Sequence, residues 1–218
     1  MRDSGWSLIV PVKPLGRAKS RLAAVAGDAL RPSLALAFAE DTVAAALACA
    51  AVREVVVVTD DALAADRLAL LGARIVPDSP GQGLNAALAH GAEAVRGRVP
   101  RAAVAALNAD LPALRPAELA RVLGDADGHA RSFLADAAGV GTTLLAAAPG
   151  TALAPAFGGA SRARHLASGA VELTPRDVDS VRRDVDTGDD LREALALGVG
   201  PRTAVSARPL TAFAASGR

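Results

Sequence analysis

The sequence predicts an α/β domain whose mainly parallel sheet is covered by helices, and three observations carry that prediction. Apolar runs bounded by turn residues recur at "WSLIVPV", "EVVVVT", "ARIVP" and "AAVAALN", with longer segments of helical spacing at residues 31–51, 61–71 and 84–96 between them. The runs are nearly continuous in apolar character, which marks strands buried on both faces. At 218 residues the chain can bury one sizeable core, and no repeat or low-complexity linker divides it. Right-handed crossovers are expected for such β-α-β units, and ligands bind outside the carboxyl ends of the strands. Those ends are therefore where chemistry is sought.

The first strand, "WSLIVPV", runs into "KPLGRAKSRLA". Pro14 and Gly16 permit a tight turn whose amides can face an anion, the start of the next helix adds positive potential, and Lys13, Arg17, Lys19 and Arg21 supply charge. The loop reads as a phosphate cradle, although it is neither a GxxxxGK[ST] loop nor GxGxxG. The bland alternative is a solvated basic turn. After the second and third strands, "VPDSPGQGLNAALAHG" places Asp78, Gly81 and Gly83 before a helix opened by Leu84 and Asn85. Glycines let backbone approach a planar base, and Asn85 offers both a donor and an acceptor. A plain turn with a helix cap has nearly the same sequence.

The fourth strand ends in "LNADLPAL", where Asp110 is either a helix cap or a Mg²⁺ ligand and Pro112 closes the turn before "RPAELARVL". From about residue 131 the pattern changes. "RSFLAD" and "GTTLLAAA" stand close together, which predicts a short antiparallel insertion, and "FGGASRARH" follows. Its small and hydroxyl residues could bring backbone amides to a carboxylate, or form a glycine loop with no ligand. In "RRDVDTGDDL", Asp184 and Asp186 stand two apart in an expected extended segment, so they project to one side and can share a metal ion. A strand neighbouring the fourth would bring Asp110 to the same sheet edge. Asp189 and Asp190 precede a helical run and suit its first turn. Phosphoryl transfer needs both kinds of group, cations for the phosphates and carboxylates for a divalent ion.

Composition limits the alternatives. Half the residues are apolar (51%) but only 2% are aromatic, so the core is Leu, Val and Ala with few rings. Twenty-four Lys and Arg against 23 Asp and Glu give a net charge of +1, which provides no footprint for nucleic acid. The single cysteine, Cys49, excludes an intrachain disulfide and fits a reducing compartment as a buried thiol. His90, His129 and His165 lack metal-ligand spacing and read as solvated or structural. No signal peptide and no long uncharged apolar stretch is present, so a cytoplasmic protein without a membrane anchor is expected. The domain is expected over 1–210, and the ending "ARPLTAFAASGR" gives a loosely held tail at 211–218.

Taken together, "VPVKPLGRAKSRL", "PDSPGQGLNAAL", "ADLPAL", "GTTLL", "FGGASRARH" and "DVDTGDDL" resemble, in order and spacing, the guanylyltransferases that activate 2-phospholactate or phosphoenolpyruvate in coenzyme F-420 biosynthesis. The resemblance runs over nearly the whole chain. It implies a nucleotidyltransferase of GT-A type, the nucleotide-diphospho-sugar transferase architecture, with a Rossmann-like mixed sheet of about seven strands. It further implies that Asp110, Asp184 and Asp186 hold Mg²⁺. Contacts to phosphoenolpyruvate would fall on Thr142, Gly158 and Ser161, with Thr143 and Gly159 as adjacent alternatives. The basic loop with Gly16 would hold the GTP phosphates, and Asp78, Gly83 and Asn85 would lie near the base; the role of Asn108 is open.

The expected reaction is attack of the acceptor phosphate on the α-phosphorus of GTP, with loss of pyrophosphate and no general base. Phosphoenolpyruvate is favoured over 2-phospholactate because the Ala- and Arg-rich composition fits a GC-rich bacterial source, where the phosphoenolpyruvate branch is expected. The rivals are a sugar-phosphate or molybdopterin nucleotidyltransferase, which needs a larger acceptor pocket, and a nucleotide-binding regulatory module, which does not need three carboxylates.

Overall fold

In a computed structural model that describes residues 5–79 and 81–210, the apolar runs form the middle of a seven-stranded sheet. The strands are β1 (Trp6–Pro11), β2 (Val52–Val58), β3 (Arg74–Val76), β4 (Val104–Leu107), β5 (Arg131–Ala135), β6 (Thr142–Ala147) and β7 (Val171–Glu172). Their order across the sheet is β3-β2-β1-β4-β6-β5-β7. β1 to β4 pair in parallel, β6 alone runs antiparallel to both its neighbours, and β7 rejoins in parallel with β5. The expected antiparallel insertion is thus the β5–β6 hairpin.

Eight helices flank the described sheet: α1 (Ala23–Ala48), α2 (Ala62–Leu70), α3 (Leu84–Arg98), α4 (Pro116–Ala126), α5 (Ser161–Ala167), α6 (Asp179–Arg182), α7 (Gly188–Leu197) and α8 (Pro201–Ser206). The period-two pleat explains the continuous apolar strands, because alternate residues serve two separate layers. Leu8 and Val10 pack with Val55, Val57 and Leu107 against Ala39 and Val43 of α1, Leu68 of α2 and Leu119 of α4. Ile9, Val56 and Val58 face the other way, onto Leu88 and Val95 of α3. The predicted start of the first long helix at residue 31 lies inside α1. Gly27 breaks the helical backbone (φ 65°, ψ 168°), and Pro32 follows five residues later inside the helix.

A third apolar cluster positions the site. Leu22 from the basic loop, Ala113 after β4 and Val185 pack together on Leu34 and Phe38 of α1. Three segments distant in sequence are therefore tied to one helix. Ala207 joins the same cluster, so the packed chain extends into the stretch "ARPL" at 207–210. The tail expected at 211–218 lies outside the described residues. Thr187 and Asp190 form a capping box at the start of α7, the helix-start role expected of Asp190.

Candidate active site

β1 leads outward to β2 and β3 on one side, while β4 lies on its other side, so the loops after β1 and β4 diverge at the centre of the sheet. Such a switch point leaves a crevice at the carboxyl ends of the strands. A cleft of about 630 Å³ opens there, lined by Lys13, Arg17, Lys19 and Arg21 on one side and by Asp110, Asp184 and Asp186 on another. Thr142, Gly158, Gly159 and Ser161 line its far end.

The basic loop is held by side chains. Asp61, which caps α2 through the Ala64 amide (3.0 Å), also accepts from the Leu15 amide (2.8 Å). Arg31 donates to the carbonyls of Gly16 and Ala18. The amides of Arg17 and Ala18 close turns onto Pro14 (2.9 Å) and Leu15 (3.2 Å). These contacts correct the backbone cradle expected from Pro14 and Gly16. The Leu15, Arg17 and Ala18 amides are occupied within the fold, and Gly16 does not line the cleft. The positive wall is made of side chains.

The acidic wall is built differently from the expected neighbouring strand. Asp184 and Asp186 lie in an irregular connection between α6 and α7, which does not pair with the sheet. Fully buried Val185 holds this connection in the third cluster, and its amide donates to the Asp110 carbonyl (3.0 Å). The two aspartates on either side of Val185 reach the cleft. Thr42 of α1 accepts from the Leu111 amide (3.0 Å) and fixes the turn that carries Asp110. Asp110 caps no helix, since Arg115 occupies that position for α4.

Between the two walls, Lys19 donates to both Asp110 and Asp186 (2.8 Å to the latter) from a left-handed backbone position (φ 56°). Burial opposes its charge, but Asp110 and Asp186 together raise its pKa above the ordinary lysine range. Burial likewise opposes ionisation of Asp186, yet Lys19, Arg21 and Lys13 bring its pKa below the usual value. Asp184 lacks such a partner. Burial, then Asp110, Asp186 and Asp136, push it up to about 7 against the weaker opposing pull of Lys19. One oxygen of Asp110 is buried without any hydrogen bond. Among the described residues, no three acidic, His or Cys side chains converge closely enough to hold a metal by themselves.

At the far end, the hydroxyl of Thr142 lies 2.9 Å from Nδ1 of His165, whereas Thr143 is fully buried and does not line the cleft. Of the two threonines, Thr142 is therefore the cleft residue. Asp136 accepts from the Val140 and Gly141 amides (2.9 and 2.8 Å) and shapes the turn before Thr142. Gly158 and Gly159 follow with φ of 97° and 44°, a run that favours glycine. Ser161 opens α5 and is almost fully enclosed.

Asn85 corrects another expectation. Its side-chain amide donates to the Phe157 carbonyl (3.2 Å) and accepts from the Phe157 amide (2.7 Å), so both groups are engaged in holding the glycine loop, and Asn85 does not line the cleft. Asp78 and Gly83 lie in the connection between β3 and α3, where Gly83 adopts φ 94° and Leu84 lines the cleft. One Asp78 oxygen is buried without a partner. Asn108 lines the cleft and its amide donates to the Thr143 carbonyl (3.0 Å).

Sequence reasoning missed Asp61, Arg31, Thr42, Asp136 and the contact of His165 with Thr142. Asp61 carried a visible signal, a carboxylate immediately before a helical run. The others depend on pairings across 13 to 69 residues, or on a loop turn with no pattern of its own.

A family model described as "Guanylyl transferase CofC like" matches residues 6–211. The phosphoenolpyruvate guanylyltransferase of Streptomyces coelicolor is 71% identical over 208 residues, covering 95% of this chain and 98% of that protein. The enzyme of the same name from Streptomyces scabiei is 70% identical over 209 residues, covering 94% and 97%. Among solved structures, a nucleotidyl transferase from Methanothermobacter thermautotroptrophicus superposes with a TM-score of 0.65 at 26% identity, covering 88% of this chain and 97% of that one.

Proposed function

Because the chain belongs to the CofC-like guanylyl transferases, we infer that it is a nucleotidyltransferase that moves GMP from GTP to the phosphate of phosphoenolpyruvate and releases pyrophosphate. The observation that carries this reading is the division of one cleft. Exposed cations and three carboxylates line it together with Thr142, Gly158 and Ser161, of which Thr142 and Ser161 are buried and Gly158 is exposed.

In this reading Lys13, Arg17 and Arg21 neutralise the triphosphate, and the exposed loop lets them follow its charge as pyrophosphate departs. The base is placed toward the connection between β3 and α3, which carries Asp78 and Gly83 and brings Leu84 to the cleft. The acceptor phosphate is ionised at neutral pH, so no side chain need remove a proton. Catalysis then rests on alignment of the attacking oxygen with the α-phosphorus and on neutralisation of charge.

The residues present fit Mg²⁺. Magnesium is usually held by one or two carboxylates together with substrate phosphates and water, so a complete protein cage is not required. The partnerless Asp110 oxygen and the raised pKa of Asp184 both mark a place where positive charge is in demand. Asp110, Asp184 and Asp186 would hold the ion. When bound, it would screen the phosphate oxygens and polarise the phosphorus. Lys19 is the internal counter-charge of the same carboxylates and keeps Asp110 and Asp186 facing one another.

The reading places the enzyme in coenzyme F-420 biosynthesis and in the cytoplasm. The one cysteine is buried and free, and no described helix is long and apolar enough to cross a membrane. The test is pyrophosphate release by purified protein with GTP and Mg²⁺, offered phosphoenolpyruvate, 2-phospholactate or a hexose 1-phosphate in turn. Release with phosphoenolpyruvate is expected. Release only with one of the other two would replace the acceptor, and release with none would remove the activity.

A further inference from the structure

His165 is a buried titratable group that the reaction itself does not use. It stands on α5 with no exposed surface, between the rings of Phe133 and Phe157 at centroid distances of 5.6 and 5.2 Å. Both of its ring nitrogens have partners, and the chemistry of those partners is not symmetric. Nε2 lies 3.0 Å from the backbone amide of Ala156, which can only donate. Nε2 must therefore be the acceptor.

A neutral imidazole has one acceptor nitrogen and one N–H, so the proton resides on Nδ1. Nδ1 faces the Thr142 hydroxyl at 2.9 Å. Thr142 must accept that N–H, and the hydroxyl proton is then free to be donated elsewhere. Thr142 lines the acceptor end of the cleft. A threonine that could serve as either donor or acceptor is thereby fixed as a donor. The neutral state is supported by burial, which pushes the His165 pKa down to about 4 with help from Arg131 and Arg164. A second proton would set an N–H against the Ala156 N–H.

We propose that His165 is a positioning residue, holding the Thr142 hydroxyl as a hydrogen-bond donor toward the carboxylate of the acceptor and fixing the loop that leads into Gly158. The same loop is held from the other side, where Asn85 pairs with both backbone groups of Phe157. Two consecutive residues, Ala156 and Phe157, are thus anchored by side chains from different helices. Gly158 and Gly159 are carried into the cleft at a set position. A fixed donor at this end favours an acceptor that presents an oxygen there, as a carboxylate does, because a group that cannot accept would leave the Thr142 proton unsatisfied.

The proposal rests on the phosphoenolpyruvate reading for the identity of the acceptor, but its first test does not. Nitrogen-15 NMR of histidine-labelled protein reports which ring nitrogen carries the proton. The Nδ1–H tautomer is expected at neutral pH, and an Nε2–H tautomer or a charged ring would overturn the proposal whatever the substrate. The second test uses His165→Asn, whose amide can donate from the Nδ1 position, and His165→Gln, whose amide oxygen can accept at the Nε2 position.

His165→Asn is expected to keep KM for phosphoenolpyruvate well below that of His165→Gln, which should raise it about ten-fold. KM for GTP should stay near the wild-type value in both. Equal impairment of the two variants, or a matching rise in KM for GTP, would mean that His165 only fills space. Should neither variant fold, Thr142→Val retains the ring and removes the donor, with the same expected loss confined to the acceptor. Absence of wild-type turnover with phosphoenolpyruvate would instead count against the functional reading and leave the tautomer result standing.

Discussion

On one side of the cleft, Lys13, Arg17 and Arg21 stand exposed on the loop after β1; on the far side, Thr142, Ser161 and His165 are almost completely enclosed. Among the described residues no hydrogen bond or ion pair fixes these exposed side chains, while the loop beneath them is fixed by Asp61 and Arg31. Both ring nitrogens of His165 are matched to partners, Thr142 and the Ala156 amide, before any substrate arrives. A wall of exposed charge tolerates displacement, because Coulombic attraction varies slowly with distance. A wall of fixed donors does not, because hydrogen bonds fail steeply with angle. Affinity for a triphosphate and selectivity for a small acid can thus be built into one cleft by separate means.

The carboxylates between these walls give the largest expected effect. Asp110→Asn and Asp186→Asn should each lower turnover by about 100-fold or more, in keeping with loss of a group that stabilises transferred charge. Their stabilities should not rise, since each change removes a partner of Lys19. Asp184→Asn should lose comparable turnover yet raise the melting temperature of metal-free protein at neutral pH. Burial, and then its acidic neighbours, oppose its ionisation, so an amide relieves a cost that no ion pair offsets at this position. Mg²⁺-dependent rates and metal-free melting curves for the three variants check this contrast. Near-normal rates in all three would remove the acidic wall from the mechanism.

Next comes the anchoring of the fixed wall. Asn85→Ala leaves the Phe157 amide and carbonyl without partners in a partly buried place, which costs about 1–3 kcal/mol. KM for the acceptor should rise with the loosened glycine loop while KM for GTP changes little. If GTP binding falls selectively instead, Asn85 serves the base as its sequence context first indicated.

The effect on acid stability leaves turnover at neutral pH untouched. His165 has a folded-state pKa near 4, below the ordinary 6.5. Above pH 6.5 it is neutral in both folded and unfolded chains and contributes no pH dependence. As pH falls from 6.5 toward 4 the unfolded chain takes up a proton that the folded chain refuses, so stability is lost across that window and the loss levels off below it. His165→Asn should flatten this part of the profile in urea titrations at successive pH values. An unchanged slope would place the acid sensitivity elsewhere.

The parts that were legible in the sequence are those whose signal is local. Strands β1, β2 and β4 announced themselves as apolar runs ending in turn residues, and the basic loop lies in one continuous stretch. The Asp184 and Asp186 pair was visible as spacing, but its support was not. Val185 pins those residues in an irregular connection by packing on α1, and no period-two pattern records that. Asn85 was visible as a polar residue at a helix start. Its true partner lies 72 residues away, so its role was assigned from the nearer glycines. His165 lacked metal-ligand spacing and so read as solvated or structural. What the sequence could not show was its contact with Thr142, formed when α5 packs against the end of β6.

The division of the cleft is tested most directly by measuring both Michaelis constants, for GTP and for phosphoenolpyruvate, in Arg17→Ala and Ser161→Ala. Arg17→Ala should raise KM for GTP and leave that for phosphoenolpyruvate within about two-fold, and Ser161→Ala should do the reverse. A Ser161→Ala enzyme impaired toward GTP alone, or equal changes in both constants for both variants, would contradict the assignment of the two walls to two substrates.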